Sequence, residues 1–204
     1  MVLSVPNLLD HLDRMRQVLE TGRWGIMVDF DGTIAEIAPR PEEAVVSRRA
    51  ADSLRRLANI LDLICVMSGR AVRDLQAKVQ VDGAMYVGNH GAEYLEAGQM
   101  SIASGAAEYR DKIKRLFDYL QTVVTLPGLV WDDKHYSASV HYRLAADSSD
   151  ARRVLQAGLD SAPEADGLEV FWGKMVLEIR APVGLVPPLD RLAVGGGDLD
   201  GSAV

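Results

Sequence analysis

The pentapeptide Asp29-Phe-Asp-Gly-Thr33 places two carboxylates directly after the apolar run Ile26-Met27-Val28. Such a run reads as a buried strand, and carboxylates at its end need a cation or hydrogen-bond donors to offset their desolvation. Side chains alternate along an extended chain, so Asp29 and Asp31 point to the same side. One carboxylate can attack phosphorus as a nucleophile while the other moves a proton. Gly32 and Thr33 form a tight exit whose free N–H groups suit a phosphate. A divalent cation would hold this charge cluster together. Asp-x-Asp-Gly is also an ordinary turn after a strand, so the surrounding elements must decide between the two readings.

Those elements follow a regular order. Leu8, Leu9, Leu12, Met15 and Leu19 recur at helical spacing, which predicts an amphipathic helix over Val5 to Glu20. Trp24 to Phe30 reads as a strand, and Ala35 to Val46, with Pro39 and Pro41, as a loop. Ser47 caps a predicted helix running to about Asn59. Leu61 to Met67 reads as a second strand, then Ser68-Gly-Arg70 leads into a helix from Ala71 to about Val79. Ala84 to Val87 is a third strand ending in Gly88-Asn-His-Gly91. Apolar strands alternating with helices imply a parallel sheet covered on both faces. Ligands of such sheets bind beyond the C-terminal strand ends. All three predicted ends carry polar, Gly-rich pieces: Asp29–Thr33, Ser68–Arg70 and Gly88–Glu93.

From about Ser101 the pattern changes. Tyr109, Ile113, Leu116, Phe117, Leu120, Val123 and Val124 mark a long helix. Leu129 to Asp132 and Ser137 to Arg143 read as strands joined by the turn Asp133-Lys134, and Asp147 to Leu159 as a helix. Leu168 to Trp172 and Lys174 to Arg180 read as a hairpin around Gly173. This is an α+β insert, expected to lie as a cap over the first sheet. Alternation puts Ala138, Val140 and Tyr142 on one face and Ser139, His141 and Arg143 on the other. Likewise Met175, Leu177 and Ile179 oppose Lys174, Val176, Glu178 and Arg180. A face bearing His, Arg, Lys and Glu suits a sugar phosphate; the plain alternative is a solvated sheet face.

Bulk properties narrow the class. The chain has 204 residues, 48% of them hydrophobic, enough for one large domain or two small ones. A net charge of −7 argues against a nucleic-acid groove. The one cysteine, Cys65, reads as an inert core residue and fits a reducing cytoplasm. Asp10, Asp13, Arg14 and Arg16 interrupt any signal-peptide apolar region, and no run approaches the ~18 apolar residues of a membrane span.

Asp29-Phe-Asp-Gly-Thr33 with Ser68-Gly-Arg70 resembles the haloacid dehalogenase superfamily of phosphatases. Gly88-Asn-His-Gly-x-Glu93, Val140-His-Tyr-Arg143 and Gly173-Lys-x-Val-x-Glu-x-Arg180 resemble its trehalose-6-phosphate phosphatase branch. The resemblance implies a Rossmann-like α/β core over residues 1–100, an α+β cap over 101–181 and a truncated return to the core over 182–204. It implies hydrolysis of trehalose 6-phosphate through an aspartyl-phosphate. Asp29 matches the nucleophile, the Asp31 side chain the proton donor and acceptor, and Ser68 the hydroxyl holding a phosphoryl oxygen. Thr33, Gly69, Arg70, Asn89, His90, Glu93, His141, Arg143, Lys174 and Glu178 are the implied substrate-binding set. Mg²⁺ is the implied cofactor, with the Asp29 side chain and the Asp31 carbonyl as ligands and Asp198 as a third. The implied partner is a small-molecule sugar phosphate, with neither nucleic acid nor membrane.

The chain departs from the family after Arg180. Val186 and Pro187 stand where the family has Lys-Gly, and no lysine follows Lys174. The short Gly197-Asp198-Leu199-Asp200 replaces a longer acidic loop. Little or no Mg²⁺-dependent turnover is therefore expected of this chain. A shifted reading frame near Pro182 and a rebuilt site are the two readings of this divergence. Two other functions stand beside the first: another sugar-phosphate phosphatase of the superfamily, and a non-catalytic sugar-phosphate-binding or regulatory module.

Overall fold

In the computed structural model, which describes residues 7–20 and 22–182, the apolar run before Asp29 forms strand β1, Gly25–Asp29. The loop that follows ends at Ser47, whose side chain accepts the Ala50 N–H and starts helix α2, Arg48–Ala58. Strand β2, Leu63–Met67, pairs parallel to β1. Helix α3, Val72–Val79, then returns the chain to β3, Met85–Gly88, parallel to β2. Three parallel strands have their C-terminal ends on one edge, and that brings the three polar pieces together.

Leu54 of α2 and Leu75 and Val79 of α3 bury Ile64, Val66 and Tyr86 on one sheet face. The opposite face buries the smaller set Cys65, Met85 and Val87. Burial pushes the Cys65 thiol up to about 11, as an inert core cysteine requires. Met27, paired with Cys65, is 44% exposed, so helical cover is fuller on the α2/α3 side than the predicted two-faced sandwich.

The sequence reading missed one hairpin. β4, Glu93–Glu96, and β5, Gln99–Ile102, add antiparallel to β3, giving the order β1-β2-β3-β4-β5. The sheet is therefore mixed rather than wholly parallel. Glu93, Glu96 and Gln99 blur the apolar alternation there. The informative signal is Ala97-Gly98, both at positive φ (48° and 80°), a two-residue turn that suits strand twist.

The second sheet is assembled from α4 (Ala106–Val123), β6 (Val130–Asp133), β7 (Ser137–His141), α5 (Ser148–Asp160), β8 (Glu169–Gly173) and β9 (Val176–Arg180). Its strands run antiparallel in the order β6-β7-β9-β8. Asp147 starts α5 by accepting the Ser149 and Asp150 N–H groups. Ala138, Val140, Leu177 and Ile179 are fully buried against Ile113, Leu116 and Leu120 of α4 and Leu155 of α5. The period-2 alternation predicted that face. The opposite face, with Ser139, His141 and Glu178, looks toward the first sheet's strand ends.

Part of the N-terminal helix is present, as a 3-10 turn at Leu8–His11 followed by α1, Leu12–Leu19. Residues 183–204, including Asp198 and the expected return to the core, lie outside the described residues. Among the described residues no helix is long and apolar enough to cross a membrane.

Candidate active site

A cleft of about 250 Å³ lies between the strand ends of the first sheet and the polar face of the second. Asp29, Asp31, Ser68, Gly69, Arg70 and His90 line it from the first sheet. Asp132, Lys134, His141, Arg143, Lys174 and Glu178 line it from the second. Residues nearly 150 positions apart thus meet because the strand ends of the first sheet face the polar side of the second.

Asp29 is exposed at the tip of β1, and its carboxylate has no protein partner among the described residues. Asp31 is held differently. The Arg70 guanidinium donates from Nε to Oδ2 (3.0 Å) and from Nη2 to Oδ1 (2.9 Å) of Asp31. Its Nη1 donates to Asp74 Oδ2 (3.0 Å) and to the Pro41 carbonyl (2.8 Å). The guanidinium also lies 4.9 Å over the Phe30 ring. Burial opposes the charge on Arg70, but pairing with Asp31 and then Asp74 outweighs it, so its pKa is raised. The fork fixes both Asp31 oxygens in one plane. Arg70 therefore reaches the Asp31 carboxylate, a contact that its sequence assignment to substrate did not include.

Ser68 is buried, and its Oγ accepts the Arg70 N–H at 3.2 Å. Its O–H remains to donate into the cleft. Gly69 has no room for a side chain: a Cβ there would sit 2.5 Å from the His90 ring. Thr33 is outside the cleft lining; its N–H donates to the Phe30 carbonyl (3.3 Å) within the turn after β1.

Asn89 and Glu93 also lie behind the cleft rather than in it. Asn89 is fully buried and left-handed (φ 49°), followed by His90 at φ 56°. Asn89 Nδ2 donates to Glu93 Oε1 (2.9 Å) and to the Lys134 carbonyl (3.0 Å). Its Oδ1 accepts the Ser137 hydroxyl at 2.5 Å, and Glu93 Oε1 accepts the Val72 N–H at 2.6 Å. Asn89 and Glu93 together thus tie the end of β3, the start of α3 and strand β7. Two consecutive left-handed residues store about 1–3 kcal/mol each, sustained by these buried bonds.

His90 bridges the sheets from its strained position. Its Nε2 is 2.9 Å from Glu178 Oε2, ion-pair distance with angles short of an aligned hydrogen bond. Burial pushes the Glu178 carboxyl up, but His90, Lys134 and Arg180 outweigh it and hold it below its ordinary value. Lys134, which the sequence reading assigned to a turn, is a cleft residue: its side chain is 9% exposed and its Nζ donates to Ser139 Oγ at 2.6 Å. The signal for it was its place two residues after Asp132, at the edge of the polar face. Arg143 Nη2 donates to the Lys174 carbonyl at 3.2 Å, bracing the β8–β9 turn.

His141 is kept neutral chiefly by burial, then by Lys134, against the pull of Asp132 and Glu178. Its Nε2 is buried without a hydrogen-bond partner among the described residues. Its folded pKa lies below the ordinary imidazole value of about 6.5, so between the two values the unfolded chain binds the extra proton. Stability from this group is full above that ordinary value and is lost as pH falls through the folded pKa. His141→Gln is expected to flatten the acid-side fall in melting temperature that begins below about pH 6.5. An unchanged slope would remove His141 as its source.

No cluster of three acidic or imidazole side chains is present among the described residues. One unpartnered carboxylate, Asp29, and the main-chain carbonyl of Asp31 remain. That set fits Mg²⁺, which keeps several waters and takes one or two carboxylates plus substrate phosphate.

The trehalose-phosphatase family profile matches residues 27–185. A trehalose-phosphate phosphatase of Mycobacterium avium (strain 104) is 34% identical over 161 residues, 76% of this chain and 39% of that protein. An uncharacterized glycosyl hydrolase of Mycobacterium tuberculosis (strain ATCC 25618 / H37Rv) is 31% identical over 187 residues, 89% of this chain and 14% of that protein. The C. albicans trehalose-6-phosphate phosphatase C-terminal domain shares the fold, with a TM-score of 0.67 at 22% identity over 81% of this chain and 61% of that one. The chain spans less than half the length of the curated relatives it matches. With the Asp29 and Ser68 strand ends facing a polar antiparallel sheet, and the profile covering most of the sequence, this chain belongs to the trehalose-phosphatase family.

Proposed function

We propose that the cleft hydrolyses a sugar phosphate, trehalose 6-phosphate, with the second sheet acting as a cap that reads the sugar. The carrying observation is that an unpartnered carboxylate, Asp29, shares one cleft with a clamped carboxylate, Asp31, and four cationic side chains: Arg70, Lys134, Arg143 and Lys174. A phosphate dianion placed against Asp29 needs those cations to offset charge repulsion.

The chemistry balances on the chain's own residues. The Asp29 carboxylate attacks phosphorus as the bond to the sugar oxygen breaks. Asp31 passes a proton to that oxygen and recovers one in the next step. Asp31 then takes a proton from water as the water attacks the aspartyl-phosphate, which returns phosphate and the free Asp29 carboxylate. The Ser68 hydroxyl donates to a phosphoryl oxygen throughout. Mg²⁺ held by the Asp29 carboxylate and the Asp31 carbonyl would supply further charge on the phosphoryl group. Lys134 and Lys174 stand on the cap side as sources of the positive charge that the Val186 position lacks.

Glu178 faces the sugar in this reading. Phosphate release from trehalose 6-phosphate, glucose 6-phosphate and an aryl phosphate, with and without Mg²⁺, tests it. Trehalose 6-phosphate is expected to lead the panel. Glu178→Ala is expected to lower its kcat/KM at least about tenfold, mainly through KM, and to leave the aryl phosphate within about threefold. Equal loss on both would place Glu178 in structural support through His90 instead. A preference for another sugar phosphate would overturn the substrate assignment.

A further inference from the structure

We propose that Phe171 is the platform on which the second pyranose ring of the substrate stacks; this rests on the sugar-phosphate reading of the cleft. A pyranose presents polar edges and a flat face of C–H groups. Carboxylates and cations read the edges, while a flat apolar surface complements the face. The cleft lining pairs charged side chains with the small apolar surfaces of Ile37, Ala38, Pro41 and Val176, and among the described residues its flat rings are the imidazoles of His90 and His141 alone.

Register supplies the missing surface. Asp132 pairs with Ser139, Ser139 with Glu178, and Glu178 with Phe171. Directly opposed residues of antiparallel strands project to the same side. These four side chains therefore form one row across the cleft-facing side of the second sheet. Phe171 sits one strand spacing, about 4.8 Å, beyond Glu178. It is 50% exposed, whereas its neighbours Val170 and Trp172 pack into the core on the opposite face. The Arg180 guanidinium lies 5.7 Å from the Phe171 ring centroid, and Arg180 Nε is held by Glu169 Oε2 at 2.6 Å. That contact steadies the ring in its outward position.

The geometry orders the substrate along this row. With phosphorus at Asp29, the phosphate-bearing ring occupies the charged part of the cleft. Its hydroxyls meet Lys174 and Glu178. The second ring then extends past Glu178 onto Phe171. A monosaccharide phosphate would end before reaching it, so Phe171 is a determinant of disaccharide over monosaccharide. On a purely structural role, Phe171 would matter equally to every ligand.

Calorimetric titration of the full chain carrying Asp29→Asn, which blocks turnover, separates these outcomes. The probes are trehalose 6-phosphate, glucose 6-phosphate and inorganic phosphate. Phe171→Ala in that background is expected to weaken trehalose 6-phosphate about tenfold and to leave the other two within about twofold. Phe171→Trp is expected to restore the disaccharide affinity. Unchanged trehalose 6-phosphate binding by Phe171→Ala, with phosphate still bound, would overturn the platform and spare the cleft reading. Equal weakening of all three probes would make Phe171 structural and overturn it too. Failure of the Phe171-containing chain to bind any probe would overturn the cleft reading, and the platform with it.

Discussion

Asp29→Asn is expected to lower phosphate release on the order of 10³-fold or more, for a sugar phosphate and an aryl phosphate alike. The argument is positional. Asp29 ends β1, faces the cleft and has no hydrogen bond or ion pair among the described residues. An amide has nearly the same shape but cannot attack phosphorus. Because no native partner is lost, stability should stay within about 0.5 kcal/mol. Melting temperature and single-turnover phosphate release on the same preparation check both halves. Parent-like turnover by the variant would remove Asp29 as nucleophile. A loss confined to the sugar phosphate would make it a sugar ligand, because a nucleophile acts on phosphorus whatever leaves.

Much of this arrangement was legible in the sequence, and the reason is periodicity. Three apolar runs, each followed by a polar glycine-containing end, are readable as parallel strands from their pattern alone. Alternation through 137–143 and 174–180 separated Leu177 and Ile179 from Glu178 correctly, because burial of one face enforces a period of two. The β4–β5 hairpin was illegible because Glu93, Glu96 and Gln99 interrupt that period. Side-chain partnership was the other blind spot. Asn89 and Glu93 belong to a motif that suggests a ligand, yet a residue's type does not say whether its polar atoms point into a cleft or behind it. Asn89 is consumed by three internal bonds that hold two sheets in register. Lys134 went the other way, since a lysine in a turn normally points to water. Here Ser139 and Asp132 of its own sheet draw it into the cleft instead.

Arg70 supplies the second large effect, through Asp31. Its guanidinium grips both Asp31 oxygens, and is itself fixed by Asp74, the Pro41 carbonyl and the Phe30 ring. The carboxylate proposed to move the proton is thereby aimed by a side chain that is only 9% exposed. A misplacement of 1 Å at such a group costs on the order of 10²-fold in rate. Arg70→Lys keeps the charge but not the fork, so it is expected to lower kcat about 10²-fold while KM changes little. Arg70→Ala also leaves Asp31 without its partner and Asp74 with only Lys78, 3.9 Å away. Both carboxylates are partly exposed (40% and 44%), so the stability cost should be about 1–3 kcal/mol rather than that of a fully buried pair. Purely structural support would make activity follow melting temperature through the two variants. Positioning predicts the opposite order for lysine: near-parent melting and KM with a deep loss of kcat, because the proton-transfer group has lost its aim. Parent-like kcat in Arg70→Lys would show that Asp31 finds its place without the clamp, and that the fork serves the fold alone.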